Sequence, residues 1–248
     1  MPQETFENRL AVVTGASSGI GLSLVEQLLD RGARVLAMSR SVGGLDDLKA
    51  RFGAALRWQP GDVTRAADLA ALATVARSLG PVDCLVPNAG IARLADGLDT
   101  AAFAAQWAVN GAGALDTLAA LRDQLAPSAS VVFIGTFLAQ VTFPGLAAYI
   151  ASKSALKAQV RTLAVEMAER GVRLNLVSPG PTATPIWSSL GLDDDQLGAV
   201  AGTVNQRLLG GRFLEPEAVA EVILFLLSPA ARGLYGQDLV VDSGYTLR

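Results

Sequence analysis

The sequence lacks histidine altogether and contains one cysteine, Cys84, among its 248 residues. Without histidine, proton transfer must rely on another side chain, and a metal site would need carboxylates or the lone thiol. Because no group of Asp, Glu and Cys has the spacing of metal ligands, we expect no metal. A single cysteine cannot close an internal disulfide, which favours a reducing compartment and hence the cytoplasm. Its place in the apolar run 82–86 is typical of a buried structural thiol.

The sequence also lacks a strong charge of either sign and any long hydrophobic run. Its 20 basic residues are balanced by 23 acidic ones, so the formal net charge is −3. This balance gives no electrostatic footprint for nucleic acid or for an anionic membrane. No apolar run reaches the ~20 residues that a membrane span needs, and residues 1–8 do not have the pattern of a signal peptide. We therefore expect neither a nucleic-acid partner nor a membrane partner.

What the sequence does contain is an alternation of short apolar runs with longer helical patterns. Hydrophobic residues make up 51% of the chain, which is enough for a large core. The short runs are continuously apolar, as expected for strands of a sheet covered on both faces. The pattern predicts an α/β fold, a Rossmann-type doubly wound parallel sheet of about seven strands with helices on both faces. The predicted strands are 10–13, 34–38, 56–59, 82–86, 130–134, 172–177 and 238–241, and the predicted helices are 19–31, 45–52, 66–79, 100–125, 147–170 and 216–227.

The chain shows no internal repeat and no long linker, so residues 1–248 are predicted to form one domain. Residues 179–211 mix Pro, Thr, Gly and the acidic run 193–195 with scattered apolar residues and no clean period. A loop of that length in a compact domain is typical of a lid or a binding element. We therefore predict a lid-like substrate segment at about 181–211.

A glycine-rich turn follows the first predicted strand and leads directly into the first predicted helix. Glycines let the backbone turn sharply and approach a phosphate, while the helix N-terminus supplies free N–H groups for a pyrophosphate. Either serine in the turn can cap the helix and donate to phosphate. The alternative is a turn used for packing alone, but its position between a strand and a helix indicates a dinucleotide site. Its residues are Gly15, Ser17, Ser18, Gly19, Ile20 and Gly21.

The end of the second strand distinguishes the two nicotinamide dinucleotides. NAD sites usually place an acidic residue there for the ribose 2′-hydroxyl, whereas an arginine suits a 2′-phosphate. Here the strand ends in Ser39 and Arg40 with no acid, and a guanidinium can bind phosphate through two hydrogen bonds. The alternative is that Arg40 is a solvated loop charge. The sequence favours NADP(H) over NAD(H) as the cofactor.

Two further turns follow the third and fourth strands. Asp62, with Val63 after it, can accept a hydrogen bond from an adenine amino group, although Asp is also an ordinary turn residue. The fourth strand runs into a tight turn of small residues, Asn88, Ala89 and Gly90. We expect this turn to lie beside the cofactor.

A tyrosine and a lysine, Tyr149 and Lys153, are four residues apart in the predicted helix 147–170. This spacing puts both side chains on one helix face, one turn apart. A free tyrosine titrates near pH ~10, but a neighbouring ammonium and a positive nicotinamide ring would favour the phenolate. The same spacing also occurs by chance on amphipathic helices, so the pair alone does not establish a function.

The order of these features along the chain resembles the short-chain dehydrogenase/reductase family. The resemblance rests on the glycine turn, the acid-free second strand, residues 88–90, Asn110 and the Tyr149–Lys153 pair. It extends over residues 10–244 and includes the segments 178–180 and 236–242. Within the family, the chain is similar to the compact single-domain 3-oxoacyl carrier-protein reductases.

The resemblance implies a role for each matching residue. Tyr149 would be the general acid/base at the carbonyl or alcohol oxygen, and Lys153 would lower its pKa and bind the nicotinamide ribose. Asn110 would hold a water in the proton relay. Residues 88–90 would line the adenine-side ribose. The carboxamide and diphosphate of the dinucleotide would be received by Pro179, Gly180, Thr182 and Thr184.

The sequence departs from the family pattern at two positions. The family usually has a serine thirteen residues before the tyrosine, and here that position holds Thr136. Threonine keeps the hydroxyl but adds a methyl group, so we expect retained activity in a tighter pocket. At Pro87 the family commonly has a second asparagine, and proline removes an N–H group and a side-chain amide.

The expected substrate is a small carbonyl or alcohol, apolar or bound to a carrier protein. Candidate pocket residues are apolar or aromatic, which favours such a substrate over a free sugar. Arg170 matches one carrier-binding position, but residues 129–130 supply no second cation, so a tailoring reductase of secondary metabolism is as well supported as a fatty-acid enzyme. The candidate pocket residues are Phe137, Leu138, Phe143, Pro144, Pro185, Ile186 and Trp187.

The leading hypothesis is an NADP(H)-dependent ketoreductase or alcohol dehydrogenase. Two alternatives stay open: a regulator that binds NADP(H) without turnover, and an isomerase or dehydratase that reuses the bound nicotinamide. The intact set of Tyr149, Lys153 and Asn110 argues against the regulator. The family resemblance also implies a homo-oligomer, a tetramer or a dimer, built on helices 100–125 and 147–170 and the last strand.

Overall fold

The computed structural model describes residues 5–248, and its strands form one parallel sheet. The strand order is β3-β2-β1-β4-β5-β6-β7, so the direction of the winding reverses between β1 and β4. This order confirms the predicted doubly wound α/β fold. The strands are β1 Leu10–Thr14, β2 Arg34–Ser39, β3 Leu56–Pro60, β4 Val82–Pro87, β5 Leu125–Ile134, β6 Arg173–Pro179 and β7 Asp238–Val241.

Helices cover both faces of the sheet, because successive strand side chains point to opposite faces. In β1, Ala11 and Val13 pack in the layer with the helices at 19–30, 45–52 and 216–227, while Leu10 and Val12 pack in the layer with those at 66–79, 113–121 and 147–168. Within residues 5–248, no helix is both long and apolar enough to cross a membrane. The helices are α1 Gly19–Asp30, α2 Leu45–Phe52, α3 Ala66–Leu79, α4 Thr100–Trp107, α5 Gly113–Leu121, α6 Ala147–Ala168, α7 Asp194–Arg207 and α8 Pro216–Leu227.

The predicted helix 100–125 is helical over nearly its whole length, but it is not one continuous α-helix. A π-helical turn, Ala108–Ala112, separates α4 from α5, and a 3-10 turn, Arg122–Gln124, follows α5. Strand β5 then starts at Leu125 rather than at residue 130. Its first residues include Pro127, which is exposed, so this part of the strand has no apolar run that a sequence pattern would detect.

The predicted loop within residues 179–211 is also wrong in part, because residues 194–207 form α7. Asp193 caps this helix by accepting a hydrogen bond from the Gln196 N–H, and the Gln196 side chain accepts one from the Asp193 N–H. This reciprocal pair satisfies N–H groups that a helix start leaves free. The pattern hid the helix because Gly198 and Gly202 interrupt it and because Val204 is its one buried residue.

Candidate active site

A cavity of about 420 Å³ opens at the carboxyl ends of the strands, where the order reverses between β1 and β4. Ligands of doubly wound sheets bind at this position. Gly21 and Asn110 lie outside the cavity wall, whereas the other predicted catalytic and cofactor-binding residues line it. Those lining residues are Gly15, Ser17, Ser18, Gly19, Ile20, Ser39, Arg40, Asp62, Val63, Asn88, Ala89, Gly90, Thr136, Tyr149, Lys153, Pro179, Gly180, Thr182 and Thr184.

The glycines of the first turn are required by backbone conformation and by close packing. Gly15 has a φ of 64°, and a Cβ there would lie 2.7 Å from the Cα of Ala89. A Cβ on Gly21 would lie 2.3 Å from the carbonyl oxygen of Gly15. Gly21 therefore allows α1 to pack directly under the turn, and it supports the cavity without facing it.

The start of α1 is open to an anion. Ser18 occupies the N-cap position, but its side chain makes no capping hydrogen bond, so the predicted serine cap at this residue is wrong. The first turn of α1 also carries no acidic residue. The N–H groups at this helix end, which line the cavity through Gly19 and Ile20, fit a diphosphate.

Asn88 joins the turn after β4 to the glycine turn. Its Nδ2 donates hydrogen bonds of 3.0 Å to the carbonyl oxygens of Thr14 and Gly15. The N–H of Ala89 also donates to Oγ1 of Thr14. Pro87, one of the two departures from the family pattern, is buried and pairs in register with Thr14. The Asn88 amide is thus a structural clamp between the two turns that line the cavity.

In the turn after β2, the side chain of Arg40 faces the cavity, whereas the side chain of its neighbour Ser39 is hydrogen-bonded within the protein. Oγ of Ser39 donates to the Ser41 carbonyl oxygen at 2.7 Å and accepts from Nε1 of Trp58 at 3.0 Å. Arg40 is exposed in the cavity wall, across from Asp62. Because Ser39 is already engaged, Arg40 is the group at this end that is available to a ligand. Sequence reasoning missed Trp58, since an aromatic residue on a strand gives no functional signal.

Asp62 is ionised in the opposite wall of this end of the cavity. Its Oδ1 accepts hydrogen bonds from the N–H and the hydroxyl of Thr64 at 2.9 and 2.8 Å. The bond from the Thr64 N–H is the main reason that the pKa of Asp62 is lowered, and the charge of Arg40 contributes in the same direction. Arg40 and Asp62 therefore form a polar end of the cavity that fits an adenosine ribose and base.

Lys153 and Tyr149 project from α6 into the centre of the cavity. Nζ of Lys153 donates to the Ile134 carbonyl oxygen at 2.8 Å, and burial lowers the pKa of Lys153 to about 8. Burial raises the pKa of Tyr149, while a hydrogen bond with Thr136 acts in the opposite direction. The predicted lowering of the tyrosine pKa by the ammonium is therefore not found in the protein alone.

Asn110 holds the chain after β4 against α6. Its Oδ1 accepts from the Ile91 N–H at 2.8 Å, and its Nδ2 donates to the Ile91 carbonyl oxygen and to Oγ of Ser152. A Cβ on Gly90 would lie 3.3 Å from Oδ1 of Asn110 and 3.6 Å from Nζ of Lys153. Asn110 lies in the π-helical turn, a feature that is frequent at functional sites. It is fully buried and positions Gly90 beside Lys153.

Thr136 caps a short 3-10 helix, Phe137–Ala139, by accepting a hydrogen bond from the Leu138 N–H at 3.3 Å. The residue is 5% exposed and lines the cavity beside Tyr149. Its hydroxyl therefore has a fixed position next to the phenol. The family resemblance placed this residue in the site, because it stands where the family usually has a serine, and the structure brings its side chain together with that of Tyr149.

The chain after β6 closes the cavity from the other side. Oγ1 of Thr182 donates to the Gly180 carbonyl oxygen, and Nε1 of Trp187 donates to the Thr182 carbonyl oxygen. Thr184 packs over the glycine turn, since a Cβ on Gly19 would lie 3.1 Å from the Thr184 side chain. Thr184 therefore lies against the start of α1, where a diphosphate fits, and Gly180 and Thr182 line the same cavity.

The part of the cavity beyond Tyr149 is apolar. Of the predicted pocket residues Phe137, Leu138, Phe143, Pro185, Ile186 and Trp187 line it, whereas Pro144 does not. Among the described residues, the charged side chains of the cavity are Arg40, Asp62 and Lys153, so this part carries none. Among the lining residues that sequence reasoning missed are Leu146, Leu190, Val204 and Tyr245, which come from separate parts of the chain.

Tyr245 is one of the lining residues that no sequence pattern indicated. It lies in a 3-10 turn at the end of the chain, Tyr245–Leu247, and is 5% exposed. Its ring packs edge-on against Phe137, with the ring centroids 4.9 Å apart. The Arg207 guanidinium lies 4.3 Å from the centroid of the same ring. The end of the chain is thereby fixed against both α7 and the cavity.

Comparisons with known proteins agree with this geometry. Residues 15–246 match the family model described as Enoyl-(Acyl carrier protein) reductase. The chain is 38% identical to cis-4-hydroxycyclohexanecarboxylate dehydrogenase of Sinomonas cyclohexanicum, with 98% of each chain covered. It is 32% identical to carbonyl reductase [NADPH] 2 of Sus scrofa, again over 98% of each chain. A solved structure from Brucella melitensis, a short-chain dehydrogenase/reductase of the glucose/ribitol dehydrogenase type, has a TM-score of 0.88 at 29% identity, covering 97% of each chain.

Proposed function

The chain belongs to the short-chain dehydrogenase/reductase family, and we propose that it is an NADP(H)-dependent ketoreductase or alcohol dehydrogenase for an apolar substrate. Its family membership makes it an oxidoreductase that acts on an alcohol or a carbonyl with a nicotinamide cofactor. The observation that carries the proposal is a single cavity. This cavity extends from the open start of α1 to Tyr149, Lys153 and Thr136. Its apolar part beyond Tyr149, described above, is called the apolar chamber.

The preference for NADP(H) is supported by the turn after β2. Arg40 presents an exposed guanidinium to the cavity, and no carboxylate stands at the end of β2 to repel a 2′-phosphate. A relative whose name includes NADPH, the Sus scrofa carbonyl reductase, is similar over nearly the whole chain. The cofactor contacts would come from the lining residues given above, from Gly15 in the first turn to Thr184 after β6.

In the proposed reaction, the bound nicotinamide supplies or accepts the hydride. Tyr149 gives its phenolic proton to the carbonyl oxygen in reduction and takes it back in oxidation. Thr136 holds the same oxygen by a hydrogen bond, since its hydroxyl lies beside the phenol. Lys153 provides a positive charge and a hydrogen bond for the nicotinamide ribose, and Asn110 keeps Gly90 close to that ammonium.

The proposed substrate is uncharged on the side that faces the chamber. Apolar side chains predominate in this part, and the Trp187 indole N–H and the Ser189 hydroxyl already donate to backbone carbonyl oxygens. A buried polyol or carboxylate would therefore have few partners there. A substrate delivered by a carrier protein is less well supported. Arg170, the cation at the matching position, donates to the Arg122 carbonyl oxygen and lies 3.5 Å from Asp123. We therefore place a free ketone or secondary alcohol ahead of a carrier-bound one.

Three further features are part of the proposal. The single described sheet supports residues 1–248 as one dinucleotide-binding and catalytic domain, with 181–211 as its lid-like segment.

The exposed side chains of Val165 on α6 and Phe225 on α8 support a homo-oligomer, which sedimentation velocity tests. A cytoplasmic location is consistent with the single cysteine, whose burial raises its pKa to about 12 and makes the thiol unreactive.

The proposal is tested by mixing the protein with NADPH and a panel of aliphatic and aromatic ketones. Loss of NADPH absorbance with several ketones is the expected result. Tight NADPH binding without oxidation across the panel would instead identify a regulator that binds the dinucleotide. A change in the substrate without net NADPH consumption would identify an isomerase or dehydratase.

A further inference from the structure

The chain after β4 forms a wall of the active-site cavity although it belongs to no helix or strand. Ile91 and Ala92 line the cavity, and Ala92 packs in the apolar cluster that includes Phe137 and Leu138. Among residues 5–248, no backbone group forms a hydrogen bond with the backbone of residues 91–93. The conformation of these three residues, which we call the side wall, therefore depends on side chains from other elements.

Two amide side chains that are four residues apart supply these hydrogen bonds. Asn110 accepts from the N–H of Ile91 and donates to its carbonyl oxygen. Gln106 repeats this arrangement two residues further on. Its Oε1 accepts from the Arg93 N–H at 3.0 Å, and its Nε2 donates to the Arg93 carbonyl oxygen at 3.2 Å. Each amide thus pairs with the backbone of one residue as a residue of a neighbouring antiparallel strand would.

Gln106 is the one buried residue of α4 and is 1% exposed. A buried amide costs free energy unless both of its ends are hydrogen-bonded. Here both ends bond to the backbone of Arg93, whose side chain is exposed. An apolar side chain of the same length would pack at this position without the desolvation cost. The distinct contribution of the amide is therefore its pair of bonds to the side wall.

The side wall also contacts the turn after β6. Oγ of Ser189, in the 3-10 helix Pro185–Leu190, donates to the Ala92 carbonyl oxygen at 2.8 Å. It shares its proton with the Ile186 carbonyl oxygen, which lies 2.6 Å away. Ser189 and Ile186 line the cavity. Because Ala92 lies between the two residues that the amides hold, the amides fix the point at which two sides of the apolar chamber meet.

We propose that Gln106 is a positioning residue for the substrate. It holds the side wall and, through the bond between Ala92 and Ser189, the turn 185–190, and so it sets the width of the apolar chamber. Gln106 lies outside the cavity wall and acts through the backbone of Arg93. This inference rests on the proposed function and adds a residue behind the cavity that controls how well a ketone fits.

The kinetic test replaces the amide with an apolar side chain of similar length. Gln106→Met should raise the KM for acetophenone about 10-fold, because a small displacement of the wall disturbs the fit of the bound ketone. The kcat should stay within about threefold, since Tyr149 is untouched and the wall contacts the ketone before and during the reaction. Gln106→Glu keeps the acceptor for the Arg93 N–H, so its KM should rise less.

Asn175→Leu is the matched control. Asn175 is fully buried outside the cavity wall, and its amide also bonds backbone at both ends, to the Leu234 carbonyl oxygen and from the Gln237 N–H. This variant should lose stability in urea as Gln106→Met does, but its KM should stay within about twofold. An unchanged KM in the Gln106 variants, or an equal rise in Asn175→Leu, would overturn the inference. Gln106→Glu carries the test should Gln106→Met fail to fold as judged by circular dichroism.

Hydrogen exchange separates this inference from the proposed function. In the cofactor-free protein, mass spectrometry should show faster amide exchange in Gln106→Met than in wild type, both in residues 91–95 and in the turn 185–190. Asn175→Leu should match wild type in both segments. If wild type reduces no ketone but this difference appears, the positioning role stands and the proposed reaction fails. If exchange in 185–190 is unchanged in Gln106→Met, the inference fails even when ketones are reduced.

Discussion

Nζ of Lys153 lies 2.8 Å from the carbonyl oxygen of Ile134, so the ammonium on α6 donates a hydrogen bond to the last residue of β5. The lysine side chain is 4% exposed, and burial lowers its pKa to about 8. A buried cation that is held by a neutral carbonyl keeps most of its desolvation penalty. The helix α6 and the strand β5 thus hold the Lys153 ammonium at the reaction centre, and its burial lowers the free energy of unfolding.

The first prediction concerns the pH dependence of stability. Between pH 8 and 10.5 the unfolded chain keeps the Lys153 proton while the folded protein has lost it, so the free energy of unfolding rises with pH. From pH 7.5 to 9.5 this group should add about 2 kcal/mol. The pKa of Tyr149 is raised above 10, so its opposite contribution begins above that window.

Urea unfolding of the cofactor-free protein at the two pH values measures the rise, with Lys153→Met as the comparison. The variant removes the buried charge, so its free energy of unfolding should lack this contribution and should exceed that of wild type at pH 7.5. An identical pH dependence in the two proteins would contradict the assignment of the effect to Lys153.

The second prediction concerns the proton donor. Tyr149→Phe removes the phenolic hydroxyl and keeps the ring, so kcat for ketone reduction should fall roughly 10²- to 10⁴-fold. The start of α1 and the turn after β2 are untouched, so the Kd for NADPH should stay within about twofold. Stopped-flow kinetics and fluorescence titration of NADPH give the two values. Turnover at the wild-type rate would rule out Tyr149 as the acid/base.

The third prediction concerns the threonine that replaces the family's usual serine. Thr136→Val keeps the shape of the side chain but removes the hydroxyl beside Tyr149, so kcat should fall on the order of a hundredfold. Thr136→Ser keeps the hydroxyl and removes one methyl group, so it should stay active and accept bulkier ketones. Parallel kinetics of the two variants distinguish the hydroxyl from the methyl. Equal activity of Thr136→Val and wild type would remove Thr136 from the proposed mechanism.

The sequence was sufficient for those parts of the molecule that local rules determine. Continuous apolar strands predicted the parallel sheet. The Gly15 turn, the turns after β2, β3 and β4 and the Tyr149–Lys153 spacing indicated part of the cavity wall, and the family resemblance added Thr136 and the segment after β6. Other parts depend on contacts between distant segments. Tyr245 joins the cavity because the end of the chain folds against α7, and Trp58 holds Ser39 across two strands. Neither contact leaves a periodic or local signal.

The difference between local sequence rules and contacts in the folded protein also explains why some of the expectations from the sequence did not hold. A serine before a helix predicts a cap, but the Ser18 side chain makes no capping bond at the N-terminus that faces the cavity. The expected lowering of the Tyr149 pKa was for the ammonium and the nicotinamide ring together, whereas in the protein without the dinucleotide burial raises the pKa of Tyr149 and lowers that of Lys153. The helix α7 was missed because two glycines and a single buried residue leave almost no amphipathic pattern.

The fourth prediction concerns the choice of dinucleotide. Arg40→Ala removes the exposed guanidinium at the end of β2, and a lost charge-assisted bond to a phosphate should weaken NADPH binding about 10- to 100-fold. Binding of NADH should change by less than about threefold, since its ribose carries no phosphate. Arg57→Ala is the matched control, because Arg57 is exposed on the neighbouring β3 and lies outside the cavity wall. Equal losses for both dinucleotides would refute the NADP(H) preference.

The fifth prediction concerns the two glycines of α7. Gly198 and Gly202 have helical backbones, and a Cβ on either would meet no atom within 4 Å. Replacing each with alanine reduces the entropy of the unfolded chain, so each substitution should raise the free energy of unfolding by about 0.5 to 1 kcal/mol. Urea denaturation of Gly198→Ala, Gly202→Ala and the double variant measures the gain.

Gly171→Ala is the control for this pair, and it should act in the opposite direction. Gly171 has a φ of 74°, and a Cβ there would lie 2.2 Å from the Pro127 carbonyl oxygen. Alanine at that position is strained and clashes with backbone, so the free energy of unfolding should fall by more than about 1 kcal/mol. A gain at Gly171, or a loss at Gly198 and Gly202, would contradict the backbone conformations described for these three glycines.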